Sequence, residues 1–149
     1  MALNAFRTYA HASAVAALAC MIACIAFQGR ALATPGRSII PQLQDEFGMS
    51  EPQVRGALGA LLVFARERLP KQDFDSLAAR IPNAEHIMDA VKQRGVVTGP
   101  LDNIEEYEAS LLSLGIGQPL ASQFAPAVVK YLGAAGYTHE RDILARLLD

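Results

Sequence analysis

Glu85, His86 and Asp89 stand within five residues of one another. On a helix, His86 and Asp89 share a face at i,i+3, a spacing that suits two metal ligands or an acid–base couple. A metal site needs at least a third ligand, which must come from elsewhere in the fold. A solvated helix face accounts for the same residues without chemistry and is the stronger reading. Asp102, Glu105, Glu106 and Glu108 form a second cluster, and paired carboxylates of this kind can hydrolyse glycosides. Acids also gather at helix starts because the exposed N–H groups there favour negative charge, and this explanation suffices. Thr138-His139-Glu140-Arg141-Asp142 likewise reads as a helix start, with Thr138 as cap and Glu140 near the dipole.

No nucleophile elbow, P-loop, dinucleotide fingerprint or H-E-x-x-H motif occurs in the chain. The residues therefore nominate no catalytic, cofactor-binding or metal-ligating group, and an enzyme is not expected. Both cysteines, Cys20 and Cys24, lie in the first 33 residues. A chain beginning at Thr34 has none, which excludes disulfides, zinc–cysteine sites and thiol nucleophiles together. That shorter chain carries 11 basic and 15 acidic residues, so it lacks the basic stripe that nucleic-acid binding requires.

The positioning elements begin after an export signal. Arg7 precedes an uncharged apolar run from Ala12 to Phe27, and Ala31-Leu32-Ala33 follows it. A basic start, an apolar stretch and an A-x-A ending are the parts of a signal peptide, here residues 1–33 with cleavage between Ala33 and Thr34. The mature protein is expected in the periplasm or outside the cell. The alternative is an inner-membrane anchor over residues 12–27. That helix would rise roughly 24 Å against a hydrocarbon core of about 30 Å, so it would need help from flanking residues. Neither cysteine is preceded by a well-matched lipoprotein triplet, and a buried core helix would leave Arg7 and the A-x-A ending unexplained.

The remaining residues, 34–149, read as one all-α domain, a compact bundle of about six to seven short helices. Ile40, Leu43 and Phe47 mark the first, stopped by Gly48. Ser50-Glu51-Pro52-Gln53 is a capping-box start. Val54, Ala57, Leu58, Leu61, Leu62 and Ala65 then carry a second helix to about Arg68, before Pro70. Phe74, Leu77, Ala78 and Ile81 mark a third, and Asn83 can cap a fourth carrying Ile87, Met88 and Val91. A loop from Arg94 to Pro100 leads to a fifth helix that starts at Asp102 or Asn103 and ends at Gly115 and Gly117. A sixth spans Pro119 to Ala134, and a seventh Thr138 to Leu148. No stretch alternates with period two, so no sheet is expected.

An offset of 67 residues lays Gly48 over Gly115, Pro52 over Pro119 and Leu77 over Leu144. Residues 38–82 and 103–149 are then two related three-helix units joined by the fourth helix and its loop, and such units should pack together. The alternative is two unrelated amphipathic hairpins. Gly56 and Gly59 sit inside the second helix, where glycine costs about 0.8–1 kcal/mol relative to alanine. With Ala60 they predict close approach of another helix, most simply from the second unit. At the matching Pro126 one helical hydrogen bond is lost and a kink is expected. The same small-residue face could instead be a groove for a partner protein or an apolar ligand.

Phe47 to Leu62, Asp73 to Leu77 and Ile81-Pro82, with Leu114-Gly115-Ile116, Gln123 to Val129 and Tyr131-Leu132, resemble the VcgC/VcgE-type bacterial proteins of unknown function. The resemblance covers about residues 38–149 and departs from the pattern between Asn83 and Asn103. It implies export and a helical fold, and brings no catalytic residues. The reading is an exported helical binding or interaction module. Its alternative is a lipid-binding protein that touches a membrane surface through its fourth or seventh helix. Membrane contact is otherwise expected only through the signal peptide.

Overall fold

A computed structural model describes residues 38–149. The expected signal peptide of residues 1–33, the cleavage expected between Ala33 and Thr34, and the anchor reading of residues 12–27 lie outside the described residues. Seven helices follow in order: α1 (Ile39–Phe47), α2 (Glu51–Arg68), α3 (Lys71–Ala78), α4 (Ala84–Gln93), α5 (Ile104–Ser113), α6 (Gln118–Ala134) and α7 (Thr138–Leu148). There is no strand among the described residues, and the fold is all-α. Among the same residues no helix is long and apolar enough to cross a membrane.

Local chemistry sets the boundaries. Gly48 and Gly115 both take left-handed backbone, φ 63° and 75°, a conformation that costs glycine little and closes a helix by freeing its last turn. Gln53 turns its side-chain oxygen back to the Ser50 N–H at 3.1 Å, satisfying one of the donors that a helix start leaves unpaired. Asn103 accepts from the Glu106 N–H at 2.8 Å, so Asn103 rather than Asp102 caps α5. Two expected caps differ. Asn83 takes left-handed backbone, φ 59°, and its side chain caps nothing. Thr138 is already the first helical residue, and Tyr137 occupies the cap position without a side-chain bond. In both cases the backbone turns tightly out of the preceding helix, so the side-chain oxygen is not offered to the new one.

α2 is the centre of the bundle. The expected one-sided spacing becomes burial on every side, because each residue from Gly56 to Ala65 is buried. The run between Arg55 and Arg66 contains no polar side chain, and a helix apolar all round must be enclosed. α1, α3, α4, α5 and α7 all pack on it. α6 runs beside α1, α5 and α7, and continues through Pro126. Pro126, Ser122, Gln123 and Lys130 are exposed there.

Three packing relationships cross the chain. α1 touches α6, and α5 touches α2, while α3 packs against α7. Shifted by 67 residues, α1, α2 and α3 fall on α5, α6 and α7 to within about three residues at each end. α4 has no counterpart in that scheme. It packs on α2, antiparallel to it, with Arg66 Nη1 3.5 Å from Glu85 Oε2 at one end.

Candidate functional site

The small residues of α2 are where α4 and the end of α5 come closest. A methyl group on Gly59 would stand 2.7 Å from Val91 Cγ1 and 2.8 Å from the Ile87 carbonyl oxygen. One on Gly56 would meet the Leu114 side chain at 2.7 Å. Ala60 is fully buried. The element that Gly59 admits is thus α4, and not a helix from residues 103–149. The sequence pattern called for a close neighbour but held no information about which helix supplied it. At the matching positions on α6, Gln123 and Pro126 face solvent, since no second α4 covers them.

Beside these contacts α2 and α4 part to leave a groove of about 340 Å³. Pro52, Gly56, Ile87, Ala90, Val91, Val96 and Leu114 form its apolar surface, and Glu51, Arg55, His86 and Arg94 its polar margin. Leu114 closes one side. Its carbonyl accepts from Gln53 Nε2 at 3.4 Å, and its side chain rests over Gly56, so glycine at 56 lets Leu114 seat against the helix. Ile87 and Val91 are buried, while Ala90 and Val96 are half-exposed, which gives the groove an apolar floor with open access. Arg55 is bound to Glu51 one turn earlier at 2.7 Å. Arg94 forms no ion pair among the described residues.

The ionisable clusters are held apart or used structurally. Glu85 faces Arg66, His86 borders the groove, and Asp89 is exposed. No group of three or more metal-ligating side chains occurs among the described residues. Glu106 accepts from the Asp102 N–H at 2.7 Å, and Glu108 accepts from Gln118 Nε2 at 3.0 Å. These acids serve a helix start and a helix-to-helix tie.

Two polar side chains, Glu140 and Tyr107, are buried in the bundle. Glu140 is only 5% exposed and accepts from Arg80 Nε at 2.8 Å. The Arg80 guanidinium also lies 4.6 Å from the Tyr137 ring centre. Burial pushes the Glu140 carboxyl up, but the Arg80 hydrogen bond, a bond to its own backbone and the charges of Arg80 and His139 hold it below its ordinary range. Tyr107 is fully buried and stacks with Phe64 at 6.0 Å. Its hydroxyl has no hydrogen-bond partner among the described residues, and burial, with Glu108 nearby, pushes it far above the usual phenol range.

The apolar faces of α4 and α7 are turned inward. Ile87, Met88, Val91, Ile143 and Leu144 are buried, and among the described residues Leu112 is the large hydrophobic residue that stands exposed, at 44%.

A family model described as "Protein of unknown function VcgC/VcgE (DUF2780)" matches residues 10–147, and the chain belongs to that family. The match starts just ahead of the apolar N-terminal run, well before the resemblance read from residue 38. No curated protein and no solved structure matches the chain.

Proposed function

We propose that this VcgC/VcgE-family chain is an exported, non-enzymatic binding module whose ligand site is the groove between α2, α4 and Leu114. The groove itself carries the reading. It is concave and mostly apolar, it has a small number of charged groups at its edge, and its volume lies within the range of small-ligand sites. The signal-peptide pattern of residues 1–33 supports delivery to the periplasm or the exterior. A membrane-surface role through α4 or α7 has less support, because the apolar residues it would use are buried in the bundle.

We further read residues 38–82 and 103–149 as two copies of one three-helix unit. The constant 67-residue offset supports this, as do the paired left-handed glycines at 48 and 115 and the crossed contacts of α1 with α6 and α5 with α2. α4 is then an insertion that breaks the equivalence and builds the groove on one copy only.

An environment-sensitive dye, anilinonaphthalene sulfonate, tests the site. The wild-type protein should bind it with enhanced fluorescence, and Ala90→Phe, which fills the groove from a half-exposed position, should abolish binding without lowering the melting temperature. Dye binding that Ala90→Phe leaves intact would place the apolar site elsewhere.

A further inference from the structure

Resting on the groove as the binding site, we propose that its ligand is an unbranched fatty acid of medium chain length, its tail along the α2–α4 floor and its carboxylate at Arg94. Charge complementarity points to an anion. Residues 38–149 hold ten basic against fifteen acidic side chains, yet two arginines meet at this one groove. Arg55 is engaged by Glu51. Arg94 is left without an anion among the described residues, and its planar guanidinium matches a carboxylate with two parallel hydrogen bonds.

The walls decide what the rest of the ligand is. They are mainly the helices α2 and α4, whose backbone donors and acceptors are spent within the helix, so an extended peptide laid along them would leave most of its amides unpaired in an apolar setting. The His86 imidazole at the margin is the one ring of the lining, and no Phe, Tyr or Trp supplies the broad stacking surface that a nucleobase uses or the ring faces that hold an organic cation. The lining is aliphatic: Pro52, Ile87, Ala90, Val91, Val96 and Leu114. A polymethylene tail asks nothing more of it. Each methylene that enters should raise affinity about fourfold, and a groove of about 340 Å³ is at the small end of ligand sites, which sets the medium chain length.

Calorimetric titration of the full chain with decanoate, decanol and decyltrimethylammonium tests the assignment. Decanoate should bind more tightly than decanol, octanoate more weakly than decanoate, and the cation not at all. Arg94→Gln should weaken decanoate about tenfold and leave decanol unchanged, and Ala90→Phe should abolish both. Equal binding of decanoate and decanol, or no effect of Arg94→Gln, would overturn the carboxylate while Ala90→Phe still upheld the groove. Decanoate binding that survives Ala90→Phe would overturn both. If none of the three binds, yet Ala90→Phe blocks the dye, the fatty acid is overturned and the groove belongs to another occupant. An amphipathic helical peptide is the next probe in that case.

Discussion

Gly59 lies so close to Ile87 that a methyl group on its Cα would stand 2.8 Å from the Ile87 carbonyl oxygen. That oxygen is backbone and cannot swing aside. Gly59→Ala should therefore push α4 off α2 and cost roughly 1–3 kcal/mol. If helix propensity alone decided the outcome, the same change would stabilise by up to about 1 kcal/mol, so the sign of one denaturation shift separates the two. Gly56→Ala should cost less, because it meets the flexible end of Leu114. Leu62→Ala, at a fully buried position of α2, provides the scale in the same assay at about 2–5 kcal/mol.

Tyr107→Phe is expected to leave stability unchanged or to raise it by up to about 1–3 kcal/mol. The variant keeps the ring contact with Phe64 and removes a hydroxyl that is buried without a partner, and an unpaired buried polar group costs about that much. Urea denaturation reads the difference. A clear loss of stability would mean that an internal water bonds the hydroxyl.

Glu140 predicts a pH dependence with a defined sign. Its carboxyl is held below its ordinary value in the fold, so the stability it contributes is complete above the unfolded value of about 4.3 and is lost as pH falls through the folded one. Glu140→Gln should be less stable than wild type at neutral pH, and the two should converge on acidification below about pH 4.3. Parallel stability curves through that window would show that Arg80 and Glu140 are not energetically linked.

The proposed export makes a prediction about mass. The protein recovered from the envelope should begin at Thr34, as the Ala31-Leu32-Ala33 ending implies. Full-length chain in the membrane fraction would instead favour an anchor over residues 12–27.

The helix boundaries were largely legible because they depend on local chemistry: Gly48 and Gly115 as stops, Ser50 with Gln53 and Asn103 with Glu106 as starts. Asn83 and Thr138 misled because residue type alone does not reveal where the incoming backbone points. The need for a close neighbour at Gly56 and Gly59 was also legible, since interior glycine is costly. Its identity was not. At Gly56 the neighbour is Leu114, from residues 103–149, but at Gly59 it is α4, and that depends on the path of the chain after α3, which no spacing encodes. The groove margin was hidden for the same reason, as Arg55 and Arg94 are 39 positions apart in the chain. Arg80 and Glu140, 60 residues apart, are exposed types, and only tertiary packing buries Glu140 beneath an Arg80 that stays exposed.

The unequal surroundings of α2 and α6 have an evolutionary consequence. α2 is enclosed from Gly56 to Ala65, so almost any change of size or polarity there is felt by several helices at once. α6 keeps Ser122, Gln123, Pro126 and Lys130 in solvent, where substitutions seldom move stability by more than about 0.5 kcal/mol. Two helices of similar length and matching register should therefore diverge at different speeds. A saturation library scored for folding would show α2 nearly frozen and the outer face of α6 free to drift.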